Sequence, residues 1–255
     1  MGFPLRLQSL TLRVRALEPM LAFYRDLLGL KHEADPPRHR LFPEGRAFSL
    51  FLLHDPQAPL RPYPSVGLYH VALLLPHRKA LAGVFRRLLE AGAHFEGAAD
   101  HGVSEALYFR DPEGGGLELY RDRPQGEWPK GPLMFTAPLN LEKLLAENPK
   151  ATPLAPETLL GHLHLHVADL GEAETFFAGR LGIEVTLRTY PGALFFAWDG
   201  YHHHVGASTW AGPRRAPEGA TGLVGYTLLD PKGREETLLD PVGARVRLTG
   251  HGATP

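Results

Sequence analysis

Histidine occurs 14 times in this 255-residue chain and cysteine not at all. Any bound metal must therefore be held by imidazole or carboxylate, and disulfides and thiolate sites are excluded. The candidates concentrate in four stretches: LYHVALLL with His70, GGGLELY with Glu118, GHLHLHVADL with His162, His164 and His166, and GYHHHVG with His202, His203 and His204. Alternate residues of a strand face opposite ways. His70, Ala72 and Leu74 thus share one face, opposite Val71, Leu73 and Leu75. His162, His164 and His166 share one face, opposite Leu163, Leu165 and Val167. Two histidines and one carboxylate on one side of a metal form a facial triad. It leaves positions open for substrate and dioxygen and suits non-haem Fe(II), with Mn, Zn or Ni as substitutes.

The elements that must position these residues are repeated. LQSLTLRVRALEPMLAFYRDLLGL from Leu7 and LGHLHLHVADLGEAETFFAGRLGI from Leu160 both read as strand, turn, helix and glycine stop. Met20, Phe23, Tyr24, Leu27 and Leu28 make an apolar helical stripe before Gly29. Asp169 and Glu172 make a capping box, and Phe176, Phe177 and Leu181 continue the later stripe to Gly182. Another copy starts at Gly67, with a stripe of Leu81, Val84, Phe85, Leu88 and Leu89 ending near Gly92. Short alternating segments with turn signals follow each helix. The unit is βαβββ. A fourth copy, GLVGYTLLDP and ETLLDPVGARVRL, is shortened and lacks its helix. The expected fold class is α+β: tandem βαβββ modules forming cupped mixed sheets with helices outside. The expected division is residues 1–123 with two modules, a Pro-rich linker at 124–159 holding one short helix in LNLEKLLAE, and 160–255 with one full and one shortened module.

Composition narrows the function classes. With 22% charged residues and a net charge of −1, no overall field favours nucleic acid or an anionic membrane. No apolar run reaches the roughly 20 residues of a spanning helix, and the N-terminal pattern reads as a strand, not a signal peptide. A cytoplasmic protein is expected, and a homodimer is compatible with the sequence.

Aligned on their helix aromatics, the first three units place Ser9, His70 and His162 at one inward position of the first strand, and Gly225 is the expected match in unit four. Glu118 in the last strand of unit two is matched by Arg247 in unit four. Pairing neighbouring units would leave a metal site short of ligands. Pairing unit two with unit three brings His162 to His70 and Glu118, and leaves units one and four to form a cup without metal. His164 and His166 compete with His162 for the same face.

The stretch HGVSEALYFRDPEGGGLE, His101 to Glu118, follows H-x5-L-Y-x2-D-P-x-G-x3-E and resembles the signature of type I extradiol ring-cleaving dioxygenases. GLYHVALLLPHRKAL, GHLHLHVADL and GYHHHVGASTW are also similar to bacterial catechol 2,3-dioxygenase-like proteins. The resemblance places the chain in the vicinal oxygen chelate (glyoxalase/bleomycin resistance/extradiol dioxygenase) superfamily and covers nearly all of it except the shortened last unit. It departs at Ala99, and at Ser208, where the family carries an asparagine-like residue. It implies that Glu118 is an iron ligand and that His101 and Tyr108 line the substrate. It also implies a further histidine from the non-Glu unit beside substrate and dioxygen. The last member of the HHH run, His204, is expected there, with His202 on the same strand face and His203 pointing away.

The expected activity is Fe(II)-dependent extradiol cleavage of a small aromatic diol by dioxygen. Two rivals share the scaffold: a glyoxalase-like metal-dependent isomerase or lyase, and a non-catalytic small-molecule binding protein.

Overall fold

The computed structural model describes residues 6–130 and 134–250. Unit one runs β1 (Leu7–Val14), α1 (Leu17–Leu21), β2 (Lys31–Asp35), β3 (Arg38–Phe42) and β4 (Ser49–His54). Unit two runs β5 (Gly67–Leu74), α2 (Arg78–Glu90), β6 (Phe95–Asp100), β7 (Ser104–Arg110) and β8 (Gly116–Asp122). The stretch between units two and three carries the short helix α3 (Leu141–Ala146), capped by the Asn140 side chain and packed on α2. Unit three runs β9 (Leu159–His166), α4 (Leu170–Glu174), β10 (Glu184–Leu187), β11 (Ala193–Ala197) and β12 (Val205–Ser208). Unit four keeps β13 (Gly222–Leu229), β14 (Glu236–Leu239) and β15 (Arg245–Thr249), with a turn in place of the helix.

The strands form two mixed sheets, neither of which joins unit one to unit two or unit three to unit four. One, of eight strands, has the order β10-β11-β12-β9-β5-β8-β7-β6 and joins units two and three. The other, of seven strands, has the order β14-β15-β13-β1-β4-β3-β2 and joins units one and four. Both expected pairings are therefore present. The helix-facing residues Val71, Leu73, Leu75, Leu163, Leu165 and Val167 enter one large core together with Leu81, Phe85 and Phe177. Burying this face on the helices leaves the opposite face of each sheet free to line a cup. None of the described helices is long and apolar enough to cross a membrane.

The two aromatic stripes differ from plain α-helices. After one α-helical turn, residues Ala22–Leu27 and Thr175–Arg180 form π-helical turns. Leu28 N donates to Phe23 O (2.9 Å) and Leu181 N to Phe176 O (3.0 Å). The wider turn sets consecutive rings edge to face at 5.1 Å in both Phe23–Tyr24 and Phe176–Phe177, with Tyr24 and Phe177 buried. Gly29 (φ +87°) and Gly182 (φ +71°) then end the segments in the left-handed region. The Asp169 cap is present, accepting from Glu172 N at 2.8 Å.

The turn before β8 is fixed by a buried acid. Asp111 Oδ1 accepts from Glu113 N (2.9 Å) and Gly115 N (2.8 Å), and Tyr24 O–H donates to Oδ2 (3.1 Å). Burial pushes its carboxyl up from 3.8 to about 6. In unit four Tyr226 and Asp240 repeat the arrangement, and Asp240 is likewise raised to about 6. The native state thus binds these protons more tightly than the unfolded chain. The stabilisation is complete below the unfolded pKa and is lost as pH rises through the folded one, by up to about 3 kcal/mol per group. Asp111→Asn should therefore flatten the fall in urea-unfolding free energy between pH 4 and 6, to the extent of one group. An unchanged slope would show that Asp111 is not the titrating group.

Candidate metal centre and active site

Register places the ligands. In the antiparallel pair of β5 and β9, His70 lies opposite His164 and Ala72 opposite His162. In the parallel pair of β5 and β8, Ala72 lies beside Glu118. His162 and Glu118 therefore flank Ala72 on the cup face, with His70 two residues along. Ala72 projects only a methyl group, so the space above it is left to the three longer side chains.

The matching positions of unit three reverse the sizes. There His164 stands beside Gly206, and a Cβ on Gly206 would meet the His164 ring. The imidazole thus fills the place that a second carboxylate would need. In the other cup, Thr11 pairs with Gly225 and Phe51, and Thr227 with Arg247. Ser9, Gly225 and Arg247 occupy the equivalent positions, and among the described residues the only cluster able to hold a metal is His70, Glu118 and His162.

The ligand atoms of these three buried residues lie within 4.8 Å of one another. His70 Nε2 is 3.0 Å and His162 Nε2 3.1 Å from Glu118 Oε2. His162 donates to the carboxylate. His70 Nε2 is buried without any hydrogen-bond partner despite its proximity. An orphaned nitrogen lone pair facing a carboxylate is what a bound cation would satisfy, so the residues fit a divalent metal held by a facial triad. Burial alone would raise the Glu118 carboxyl, but the two imidazoles, His162 foremost, hold it well below its ordinary range. Burial lowers His162. An ionised carboxylate and a neutral imidazole are the protonation states that ligation requires.

Beside the triad lies a cavity of about 210 Å³, lined by His70 and Glu118 and walled by Tyr190, Phe195, Met134 and Trp210. This is below the roughly 300 Å³ of typical drug-sized pockets, a space for one small ring between apolar walls. His101 and Tyr108 both line it. His101 Nδ1 is 2.8 Å from Phe135 O, and Nε2 is 2.8 Å from Tyr108 Oη. A carbonyl only accepts, so neutral His101 carries its hydrogen on Nδ1 and Tyr108 O–H donates to Nε2. Burial, reinforced by the Glu118 charge, raises the Tyr108 hydroxyl well above its ordinary range.

The HHH run requires a correction. His203, not His204, lines the cavity, and its ring centroid is 4.0 Å from that of His162. His204 is fully buried on the other side. It accepts from Trp198 N (3.3 Å), and its ring packs near Trp198 and Tyr201. His202 lies behind the cavity, its Nε2 2.9 Å from Asp122 Oδ1. Strand alternation fails here because β12 begins only at Val205; residues 201–204 are irregular. Asp122 and Tyr120 were not singled out from the sequence. Counting by two from Glu118 along β8 reaches both, and that signal was available. His164 Nε2 is 3.0 Å from Ser208 Oγ, so the residue at the family's asparagine-like position holds that ring.

Residues 6–119 match the Glyoxalase/Bleomycin resistance protein/Dioxygenase superfamily. The chain is 40% identical over 252 residues to a catechol-2,3-dioxygenase of Bacillus subtilis (strain 168), a match spanning 94% of this chain and 87% of that protein. The chain belongs to this superfamily. A second member, the 2,2',3-trihydroxybiphenyl dioxygenase of Sphingomonas paucimobilis, is 28% identical over 247 residues, 94% of this chain and 74% of its own. Among solved structures, a Bacillus subtilis protein described as a dioxygenase superposes with a TM-score of 0.68 at 12% identity, over 96% of this chain and 86% of that one. Maize glyoxalase I superposes with a TM-score of 0.57 at 14% identity, over 96% and 92%. At such identities the superpositions speak for the superfamily fold alone.

Proposed function

We propose that the protein is an Fe(II)-dependent extradiol dioxygenase that opens the ring of a small catechol beside its diol. One observation carries the reading: a buried two-histidine, one-carboxylate set opens onto a one-ring cavity that also presents His203, His101 and Tyr108. The dioxygenase names of its relatives support it. The same fold in a glyoxalase leaves a non-oxidative activity as the outcome to be tested against.

His70, His162 and Glu118 would hold the metal, which supplies a shared template and electron conduit for diol and dioxygen. The chain's own residues do the rest. Phe195, Tyr190 and Trp210 present aromatic faces to the ring from the cavity walls. His203 is placed to take a proton from a substrate hydroxyl and return it as the ring opens. Tyr108, kept protonated, is a hydrogen-bond donor oriented by His101. In the net reaction both atoms of dioxygen enter the product as one ring carbon–carbon bond breaks.

The test is turnover of a catechol panel by protein reconstituted with Fe(II) under reducing conditions. Equimolar dioxygen uptake and a yellow ring-opened product are expected. Confirmed iron binding with neither signal across the panel would overturn the reading in favour of a glyoxalase-like isomerase or lyase, and failure to bind metal would favour a binding protein.

A further inference from the structure

The hydrogen bonds behind His203 form a directed chain. His203 Nδ1 lies 2.8 Å from His202 Nδ1, and His202 Nε2 lies 2.9 Å from Asp122 Oδ1. The other oxygen of Asp122 accepts from Tyr201 O–H at 2.9 Å, and the Tyr120 and Tyr201 hydroxyls are 2.7 Å apart. The direction follows from what each group can do. An ionised carboxylate only accepts, so His202 Nε2 carries a hydrogen. A neutral imidazole has one N–H, so His202 Nδ1 is an acceptor. The hydrogen between the two rings then belongs to His203 Nδ1, and His203 Nε2 is left with a bare lone pair. The parts are held in place: Thr186 O–H donates to His202 O at 2.6 Å, and the Tyr201 and His202 rings pack at 4.0 Å.

We infer that Asp122 and His202 are positioning residues that fix the tautomer of His203, so that its Nε2 meets the substrate as a proton acceptor. The inference rests on the dioxygenase reading for its chemistry, although the tautomer is a property of the protein alone. In the step concerned, the substrate O–H bond breaks and an N–H bond forms at His203 Nε2. The positive charge on His203 is shared through its Nδ1–H with His202, which the Asp122 carboxylate supports from the far side. When the product takes the proton back, the starting tautomer returns. The arrangement extends the orienting role that a buried carboxylate plays toward a general base, with a second imidazole interposed.

Tautomers are read directly from long-range proton–nitrogen NMR spectra of histidine-15N-labelled protein loaded with zinc, a diamagnetic ion. The wild-type spectrum should show His203 protonated on Nδ1 and bare on Nε2. In Asp122→Asn, the Asn oxygen can still accept from Tyr201 while its NH2 group faces His202 Nε2. This reverses the chain and moves the His203 hydrogen to Nε2. With iron, kcat should then fall roughly 10²–10⁴-fold, with KM and metal content near wild type. His202→Gln offers an oxygen to His203 and an NH2 group to Asp122, so it should exceed His202→Phe in kcat at least tenfold at matched Tm. A wild-type spectrum with His203 protonated on Nε2 overturns the inference without any variant having to fold. So does an Asp122→Asn protein whose tautomer and kcat both stay unchanged. If no catechol is turned over, the dioxygenase reading fails by itself, and the spectra still decide the chain.

Discussion

Glu118→Gln is expected to abolish metal binding. Glu118 is the only carboxylate in the cluster and is fully enclosed beside two imidazoles. Taking an ion out of water costs several kcal/mol, a cost that the neighbouring imidazoles, His162 foremost, offset here, since they hold the carboxyl well below its ordinary range. A neutral amide removes that cost and can keep the contact with His162. It also removes the charge that draws a cation into the cup, and with it one of three protein ligands. Metal saturation should raise the wild-type stability by about 2.7 kcal/mol at a hundredfold excess over Kd, seen as a rise in Tm. The variant should show no metal-dependent rise and no co-purified metal. Retention of wild-type occupancy by Glu118→Gln would place the ligands elsewhere.

The legible parts of this site were those lying within strands, on stretches where side chains alternate regularly. Alternation through β5 and β9 separates Val71 and Leu163 from His70 and His162 without knowledge of any contact. Matching the repeats placed Ser9 and Gly225 at the equivalent positions of the other cup, and the register agrees: Ser9 pairs with Thr227 as His70 does with His164, and Gly225 with Thr11 as His162 does with Ala72. The pairing of unit two with unit three followed from chemical need, since only that pairing completes a ligand set. What the pattern did not carry was geometry outside regular structure. An apolar stripe has the same appearance whether a helix closes i to i+4 or widens to i+5, so the π-helical turns at Ala22 and Thr175 left no trace. The HHH run precedes its strand, and counting back by two from Val205 assigned a face to residues that have no strand geometry. The contacts between Asp122 and His202 join positions 80 apart in sequence, a distance over which only the folded sheet gives a relation.

The correction within that run leads to the second large effect: His203→Ala should lower kcat roughly 10²–10⁴-fold at unchanged metal content, whereas His204→Ala should chiefly lower stability. His203 borders the cavity, and its ring lies against His162, but it is not part of the cluster whose ligand atoms converge. Removing it takes away a proton acceptor and leaves three ligands. The magnitude is that of losing a positioned general base. Burial also lowers His203 well below its ordinary range, which keeps it neutral and able to accept near pH 7. His204 has no exposure, and its Nδ1 accepts from Trp198 N. Its truncation opens a core cavity and strands a buried amide, a loss of about 2–4 kcal/mol by the general cost of such changes. The folded fraction should keep kcat within a few-fold of wild type. Steady-state kinetics normalised to bound iron, set beside urea unfolding, separate the two. The assignment is overturned if His204→Ala loses turnover at full iron content and His203→Ala does not. If His203→Ala loses its iron, His203 is a ligand, and the acceptor must be sought at His164 or His101, the other imidazoles outside the triad that line the cavity.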